Sequence, residues 1–361
     1  MASIKKRPDG VWRARYRDAA GKEHARHFKR QVDAKRWLDE VTASVLTGMY
    51  IDPRAGRMTF REYAEHWRSI QVHRPTTAEV VERVLRRRVY PTIGDRPLSS
   101  IKPSEIQALV KSWDIAPATA QVTYSYVATI FKAAVLDKRV AETPCQNIKL
   151  PEVVKEQVVP MTTEQVHAII EAMPERYRAM VVLAAGTGMR QGEVFGLTLG
   201  QVRFLERELH VDRQLVAVSG RAPVFGPPKT RSSRRTIPLP NVVVEALARH
   251  VEVFPPAEGE PIFTGSDGQR LRRSAFGEVW RKATRTAGVR GVTFHALRHY
   301  YASLLIRHGE SVKVVQARLG HKSADETLNT YAHLWPDADD RTREAVDSRL
   351  GILADSVRTG T

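Results

Sequence analysis

The sequence predicts a mixed α/β fold that is mainly α-helical, and three observations support this prediction. Residues 11–17 alternate basic and apolar side chains, which is the period of a half-buried β-strand. Most of the remaining chain carries apolar residues at steps of three and four, as amphipathic helices do. Two strand-like runs, residues 208–218 and 233–239, interrupt the helical pattern late in the chain. The expected architecture is a small N-terminal β-sheet with one helix, a helical domain, and a mostly helical third domain with a β-hairpin sheet.

The charge of the chain indicates a polyanionic partner. Of its 361 residues, 57 are lysine or arginine and 40 are aspartate or glutamate, which gives a formal net charge of +17. Such an excess favours nucleic acid, with DNA and RNA as the first candidates. Cys145 is the single cysteine, so an internal disulfide or a cysteine zinc site is excluded, and a reducing cytoplasm is expected.

Several functional classes find no support in the sequence. The N-terminal residues MASIKKRPDG are followed by charged residues, so no signal peptide is expected. The best apolar run, AMVVLAAGTGM, is too short to cross a bilayer. No Walker motif and no dinucleotide-binding glycine motif occurs. We therefore expect neither a membrane nor a nucleotide cofactor as a partner.

Residues 1–48 are expected to form a first, DNA-binding domain. The strand at 11–17 has a basic side and an apolar side, a returning strand follows near 23–28, and the next helix ends near Gly48. A narrow basic β-ribbon fits the major groove, and a solvated strand face is the alternative. The arginines expected to contact DNA are Arg13, Arg15, Arg17 and Arg26.

Residues 58–150, after a linker, are expected to form a second, helical domain. Thr59 is expected to cap a helix that begins at Phe60, and the threonines at 76–77 are expected to cap the next helix. No set of residues here has catalytic spacing. A DNA-gripping module fits this pattern, and an ordinary helical bundle fits it nearly as well.

The third domain, residues 159–361, contains the residues with chemical potential. Arg190 lies in GTGMRQGEV at an expected helix start, with Glu193 three residues later to brace its guanidinium. Lys229 is expected at the tip of the β-hairpin. His295 and Arg298 share the first turn of a further helix, where an anion would sit. Taken singly, each of these residues is better explained as an ordinary surface or packing residue.

Two further motifs complete the series. His321 follows the glycine that ends the helix of VKVVQARLGH, and Tyr331 lies ten residues later in TLNTYAH. In chain order the candidates read Arg, Lys, His-x-x-Arg, Gly-His, Tyr. The carboxylates near these motifs are scattered, so no metal site is expected.

This combination resembles the tyrosine recombinase, or phage-type integrase, family. The segments GTGMRQGEV, TFHALRHYYASLL, ARLGH and TLNTYAH are similar to its signature boxes, and every catalytic position is present. The resemblance covers the third domain, and the preceding two look like the family's arm-site-binding and core-site-binding domains. It implies a site-specific recombinase whose catalytic residues are Arg190, Lys229, His295, Arg298, His321 and the nucleophile Tyr331.

The resemblance also implies a mechanism. Tyr331 attacks a DNA phosphodiester and leaves a 3′-phosphotyrosine, whose retained bond energy makes ATP unnecessary. Arg190 and Arg298 would hold the phosphate oxygens with His321, while His295 would donate or accept a proton near the tyrosine. Lys229 would protonate the leaving 5′-oxygen.

The resemblance further implies partners and a setting. Core-type and arm-type attachment sites on double-stranded DNA, a tetramer on DNA, a host DNA-bending protein and an excisionase are expected. The expected location is the bacterial cytoplasm, at the nucleoid. The apolar residues Val346, Leu350, Leu353 and Val357 recur at helix-like steps, either to dock on a neighbouring subunit or to close the domain's own core.

Two other functions remain open from the residues alone. A type IB-like topoisomerase uses related chemistry but religates a single strand. A DNA-binding regulator would keep the fold and lack the reaction. The basic sheet and the two site-binding domains argue against the first, and the complete candidate set argues against the second.

Overall fold

The computed structural model describes residues 2–17, 21, 23–46, 55–154, 157–335, 343–344 and 346–348. The chain divides into two compact units, Met1–Val154 and Lys155–Thr361. Within the described residues, no helix is both long enough and apolar enough to span a bilayer. The further division of the first unit into separate arm-site and core-site domains stays a prediction.

The first unit begins with a three-stranded antiparallel sheet. Its strands are β1 (Ser3–Lys6), β2 (Trp12–Arg17) and β3 (Glu23–Phe28), in that order, and helix α1 (Gln31–Leu46) follows. The buried side chains of the sheet and helix include Ala14, Tyr16, Ala34 and Leu38, so the predicted apolar side of β2 is confirmed. The sequence analysis missed β1 because four residues, two of them lysines, carry no readable alternation.

Arg26 lies on a different face of this sheet from the other three arginines. Cross-strand neighbours in an antiparallel pair point to the same side. Arg26 pairs with Ala14, which is fully buried, whereas Arg13 pairs with His27. The guanidinium of Arg26 is exposed and lies 5.3 Å from the centroid of the Phe28 ring. The expected four-arginine set is therefore divided between two faces.

The rest of the first unit is helical. Its helices are α2 (Phe60–Ile70), α3 (Pro75–Val84), α4 (Pro103–Lys111) and α5 (Pro117–Leu136), and α3 continues into a π-helical stretch, Leu85–Gly94. The predicted Thr59 cap is confirmed, because its hydroxyl accepts from the Glu62 N–H. The predicted threonine cap of α3 is wrong. That helix begins at Pro75, whose fixed φ and missing N–H suit a first helical position.

The second unit holds eight described helices around a small amount of sheet. They are α6 (Thr163–Ala172), α7 (Glu175–Thr187), α8 (Gln191–Phe195), α9 (Asn241–Val253), α10 (Arg273–Thr286), α11 (Ala296–Arg307), α12 (Val312–Leu319) and α13 (Ala324–Tyr331). The strands are β4 (Val202–Arg203), β5 (Glu208–Val211), β6 (Gln214–Val216), β7 (Val224–Gly226) and β8 (Arg235–Pro238). The mainly helical fold class is thus confirmed.

The strand prediction for this unit was only partly right. The run 208–218 is divided at Asp212 and Arg213 into β5 and β6, which join different sheets. Strand β5 pairs with β4 and β8, while β6 pairs with β7 in a two-stranded hairpin. The tip of that hairpin is residues 217–223, so the prediction that Lys229 lies at the tip is wrong. Lys229 instead lies in the segment that connects β7 to β8.

Two apolar clusters set the positions of the chemically interesting residues. The larger one surrounds α7 and α11 and includes Met180, Leu183 and Leu297. The smaller one joins α11, α12 and α13 through Tyr301, Ala302, Ile306, Val315, Leu319 and Tyr331. Tyr331 is thus part of a packed interior, which holds its ring in a defined orientation.

The predicted C-terminal stripe falls almost entirely outside the described residues. Val346 is described and is about half exposed, while Leu350, Leu353 and Val357 lie outside. The docking role of the tail therefore stays a prediction.

Candidate active site

Arg190 is positioned by a tight connection between two helices. Helix α7 ends at Gly188, whose left-handed φ of 63° favours glycine, and a Cβ there would lie 2.5 Å from Cδ1 of Tyr301. Arg190 then stands immediately before α8. Its guanidinium donates to the Glu193 carboxylate and to the Ser233 hydroxyl, each at 3.0 Å. The predicted Arg–Glu brace is present in the structure.

Glu193 is a buried anion shared by two arginines. Its Oε1 accepts from Arg190, and its Oε2 accepts from Arg235 at 3.0 Å and from the Arg190 backbone N–H at 2.9 Å. Burial alone would raise the pKa of this carboxyl, but the charges and hydrogen bonds of Arg235 and Arg190 outweigh it, so the pKa is lowered. Glu193 is therefore ionised and holds both guanidinium groups in place.

Arg235 is a buried member of the site that the sequence analysis missed. Its side chain is 6% exposed, and it links Glu193 on α8 to the carbonyl of Arg318 on α12. The strand-like segment SRRTIPL, residues 233–239, contained a signal for it, namely the alternation of side chains along a strand. Arg235 lies two residues before Ile237, which is fully buried on β8, so both side chains point to the inner face.

The C-terminal end of α12 collects three arginines. The carbonyl of Arg318 accepts from Arg235 at 2.7 Å, that of Leu319 from Arg298 at 2.7 Å, and that of Gly320 from Arg190 at 3.1 Å. The last carbonyls of a helix have no partner within the helix, and its dipole favours cations there. The left-handed Gly320, with φ of 65°, permits this close approach.

Arg298 is almost completely buried at 2% exposure, on the first turn of α11. Its other hydrogen bond, at 2.8 Å, goes to the carbonyl of Gly188 at the end of α7. Burial, and then the charges of Arg190 and Arg235, lower its pKa to about 9. The guanidinium remains protonated at neutral pH. Its two hydrogen bonds go to neutral carbonyls, so it can still attract an anion.

Tyr331 presents its hydroxyl to a histidine that the sequence analysis did not select. The Tyr331 Oη lies 2.8 Å from Nδ1 of His299, which follows Arg298 on α11. Tyr331 is 1% exposed, and burial raises the pKa of its phenol to about 12, although Arg298 acts in the opposite direction. The phenol is therefore protonated at neutral pH.

His295 and His321 lie on either side of this pair. His295 immediately precedes α11, and its ring meets the His299 ring edge-on with centroids 4.9 Å apart. Desolvation, followed by His299, Arg298 and Arg190, lowers the pKa of His295 to about 4. His295 is itself exposed, so its imidazole can reach a bound ligand.

His321 is buried and stacks parallel to the Tyr331 ring, with centroids 6.4 Å apart. Its Nδ1 lies 2.7 Å from the Thr327 hydroxyl, which fixes the ring. Burial and then Arg298 lower the pKa of this imidazole to about 4, with Glu326 opposing. A neutral imidazole held by one nitrogen can donate from the other.

Lys229 is exposed, and within the described residues its ammonium has no hydrogen-bond or ion-pair partner. It is nevertheless tethered to the site. The hydroxyl of the next residue, Thr230, lies 2.8 Å from the Ser233 hydroxyl, which in turn accepts from Arg190. An unpaired lysine on a segment attached to Arg190 is free to reach toward a bound substrate.

The structure thus brings Arg190, Glu193, His295, Arg298, His321 and Tyr331 together, with Lys229 on an adjacent segment. Within the described residues, no group of three or more histidine, cysteine, aspartate or glutamate side chains is arranged to hold a metal ion. The site offers guanidinium and imidazole donors around a buried phenol. This arrangement suits an anionic group such as a phosphodiester.

The arginines of the N-terminal sheet belong to the other unit. Arg13 contacts Glu23 at 3.4 Å, and Arg15 donates to the Ser3 hydroxyl at 2.7 Å and lies 3.7 Å from Glu23. These ion pairs are half exposed, so they are weak and open to exchange with phosphate. Arg17 is exposed at the end of β2.

Family profiles match most of the chain. The profile described as the phage integrase family matches residues 160–337, and that of the phage integrase central domain matches residues 59–151.

Individual proteins are similar over long stretches. A tyrosine recombinase XerC-like protein of Caldanaerobacter subterraneus is 29% identical over 60% of this chain and 63% of its own length. A putative prophage phiRv2 integrase of Mycobacterium tuberculosis is 26% identical over 96% of this chain and 94% of its own.

Two solved structures share the fold. The Tn1549 transposon integrase, in complex with transposon right-end DNA, has a TM-score of 0.69 at 23% identity, over 81% of this chain and 99% of its own. The lambda integrase tetramer bound to a Holliday junction has a TM-score of 0.59 at 19% identity, over 90% of this chain and 96% of its own. With its signature residues assembled around Tyr331 and both profiles matched, this chain belongs to the phage integrase family of tyrosine recombinases.

Proposed function

We propose that this protein is a site-specific DNA recombinase that cuts and rejoins double-stranded DNA through Tyr331. The observation that carries the proposal is the buried Tyr331 hydroxyl, which lies beside imidazoles and close to the guanidinium of Arg298. In the first step Tyr331 Oη bonds to phosphorus and the 5′-oxygen leaves, giving a 3′-phosphotyrosine. The 5′-hydroxyl of a second strand then attacks this link and releases the tyrosine.

The main energetic obstacle is the ionisation of the Tyr331 phenol, and we propose that the arginines lower it by stabilising the charge that develops on the phosphate. With its pKa raised to about 12, the phenol of Tyr331 lies about five units from ionisation at pH 7, which costs about 7 kcal/mol. Arg190 and Arg298 would fork onto the non-bridging oxygens, where negative charge grows in the transition state. His321 would donate to the same phosphate, and His295, at the open edge of the site, would donate or exchange a proton there.

A trapping assay tests this function. In a duplex nicked just beyond the cleavage point, cleavage releases the short fragment that carries the new 5′-hydroxyl. Without that hydroxyl nearby the phosphotyrosine cannot be reversed, so the protein stays covalently bound. We expect a stable protein–DNA adduct on the cognate core site. A protein that binds the site without forming any adduct would be a DNA-binding regulator. Relaxation of a supercoiled plasmid that lacks the site would indicate a topoisomerase.

The same assay tests independence from metal ions and nucleotides. The site offers guanidinium and imidazole donors in place of a carboxylate cluster, and the bond energy is kept in the phosphotyrosine. The adduct yield and rate are therefore expected to be unchanged in EDTA and without ATP. A rate that falls on chelation and returns with magnesium would contradict this expectation.

Lys229 is the proposed acid that protonates the leaving 5′-oxygen. Lys229→Ala is expected to slow cleavage by about 10²–10⁴-fold on ordinary DNA. A 5′-bridging phosphorothiolate has a thiolate leaving group that needs no proton, so it should restore the rate of this variant. Arg190→Ala serves as the matched control and should remain slow on the same substrate. If neither variant is rescued, the acid is a different residue, with Arg231 and His295 as the next candidates.

We further propose that residues 1–48 bind arm-type DNA through the outer face of the N-terminal sheet, while residues 58–150 grip the core site. In the full-length chain, changing Arg13, Arg15 and Arg17 to alanine should weaken arm-site binding. The slope of log K against log salt should fall by up to about 3, as three phosphate contacts are lost. Arg26→Ala, on the opposite face of the sheet, is the control. Loss of core-site cleavage in the triple variant would argue against a separate arm-binding function.

The assembly that fits strand exchange is a tetramer on DNA, as in the lambda integrase tetramer bound to a Holliday junction. We propose that a host DNA-bending protein and an excisionase set the direction of the reaction, and that it takes place at the nucleoid in the bacterial cytoplasm. The C-terminal tail, residues 336–361, is proposed to dock on a neighbouring subunit.

A further inference from the structure

We propose that His299, and not His295, is the base that accepts the proton of Tyr331 during DNA cleavage. This inference rests on the proposed function, because it presumes that Tyr331 is the nucleophile. It assigns a catalytic role to a residue that the six expected catalytic residues do not include.

The geometry carries the assignment. A general base must lie within hydrogen-bond reach of the proton that it removes. The His299 Nδ1 is 2.8 Å from Tyr331 Oη, and the two rings meet edge-on at 62° with centroids 5.6 Å apart. The contact joins α11 to α13, so the packing of both helices sets the alignment of donor and acceptor.

The other two histidines are arranged for different contacts. The His321 ring is stacked nearly parallel to the Tyr331 ring, at 12°, and its Nδ1 is occupied by the Thr327 hydroxyl. His295 meets the ring of His299 and not the phenol. The second ring nitrogen of His321, Nε2, lies 3.9 Å from the Glu326 carboxylate. Among the three histidines, and within the described residues, His299 is therefore the one that contacts the Tyr331 hydroxyl.

The surroundings keep His299 in the form that a base requires. Among the described residues, the charged and titratable groups that meet it are Arg298 on the same helix, His295 just before that helix, and Tyr331 on α13. Burial and then Arg298 lower the pKa of its imidazole, so the ring is neutral at neutral pH. The phenol, with its raised pKa, is protonated. In the tautomer that carries its proton on Nε2, the phenol O–H donates to the free lone pair on Nδ1.

The proposed step balances as follows. As the bond between Tyr331 Oη and phosphorus forms, the phenolic proton moves to Nδ1 of His299 and the bond between phosphorus and the 5′-oxygen breaks. The 5′-oxygen takes a proton from the general acid, for which Lys229 is proposed. In the reverse reaction the imidazolium of His299 returns its proton to the departing tyrosine, so both groups are regenerated.

The test separates proton transfer from simple packing. His299→Ala is expected to slow adduct formation on the nicked core-site substrate by about 10²–10⁴-fold. A second protein carries a fluorinated tyrosine at position 331, whose phenol is more acidic and needs less help from a base. The cost of His299→Ala should shrink at least tenfold in that background. A phosphorothiolate at the leaving position should not rescue His299→Ala, because that substrate relieves only the need for an acid.

The controls distinguish the possible failures. His308→Ala, an exposed histidine at the end of the same helix, should cleave at the wild-type rate. Site binding and thermal unfolding of each variant establish that it is folded. If His299→Ala cleaves normally, or loses the same factor with tyrosine and with fluorotyrosine, His299 is not the base. If the wild-type protein forms no adduct, the proposed function itself fails.

Discussion

Tyr331→Phe is expected to abolish the covalent protein–DNA adduct while site binding persists. Phenylalanine keeps the ring that packs against α11 and α12 and removes only the oxygen that would attack phosphorus. The lost hydrogen bond to His299 should cost about 1 kcal/mol of folding free energy, too little to unfold the unit. Adduct formation on the nicked substrate, measured on denaturing gels, should fall below detection, and gel-shift affinity should change little.

Two neighbouring tyrosines provide the matched controls. The Tyr300 hydroxyl lies 3.1 Å from the Thr163 hydroxyl, and Tyr301 is packed against α12 with its phenol near Arg318 and Arg235. Neither hydroxyl is the one that meets His299. Tyr300→Phe and Tyr301→Phe should each retain adduct formation. If the adduct still forms with Tyr331→Phe and disappears in one of these variants, the nucleophile is that other tyrosine.

Glu193→Gln is expected to destabilise the second unit more than any surface substitution. Glutamine keeps the shape of the side chain but removes the charge that pairs with Arg190 and Arg235 inside the protein. Breaking a buried ion pair by removing one partner costs about 3–5 kcal/mol, which corresponds to a fall in Tm of roughly 6–20 °C. Thermal and urea unfolding would measure it. Glu260→Gln, which breaks the partly exposed pair with Arg270, is the control and should cost at most about 1 kcal/mol.

The pH dependence of this effect has a definite sign. The pKa of Glu193 is lowered in the folded state, so the ionised carboxylate contributes stability above the unfolded pKa, near 4.5. That contribution is lost as the pH falls through the lower, folded pKa. The difference in unfolding free energy between the wild-type protein and Glu193→Gln should therefore be constant near neutral pH and narrow in acid. A difference that grows below pH 4 would contradict the ionised assignment.

The chemical identity of the site was readable from the sequence, because motif residues carry it. Arg190, Glu193, Arg298, His321 and Tyr331 lie in short segments whose spacing is diagnostic, and local helix signals placed each near a helix end. The contact between His299 and Tyr331 was not readable. It depends on the rotation of α11 against α13, and this tertiary relation leaves no periodic trace in either segment.

The sheet regions were less predictable for a related reason. Residues 208–218 form one apolar-rich run, but the chain changes sheets at Asp212, and that change is decided by which strands are available as partners. For this reason the prediction that Lys229 lies at the hairpin tip was wrong. Arg26 was grouped with the other arginines because its face is set by the register of β3 against β2, which pairs Arg26 with Ala14 and cannot be read from either strand alone.

Because three arginines bind the carbonyls at the end of α12, the number of residues in that helix cannot change without disturbing the active site. Successive residues of a helix are rotated by about 100° and translated by 1.5 Å. An insertion or deletion of one residue between Val312 and Gly320 would therefore turn all three acceptor carbonyls away from Arg190, Arg235 and Arg298 together. The same insertion or deletion would displace His321 and Tyr331, which follow in the chain. Variation in chain length is far better accommodated at the tip of the β6–β7 hairpin, where residues 219–222 are exposed.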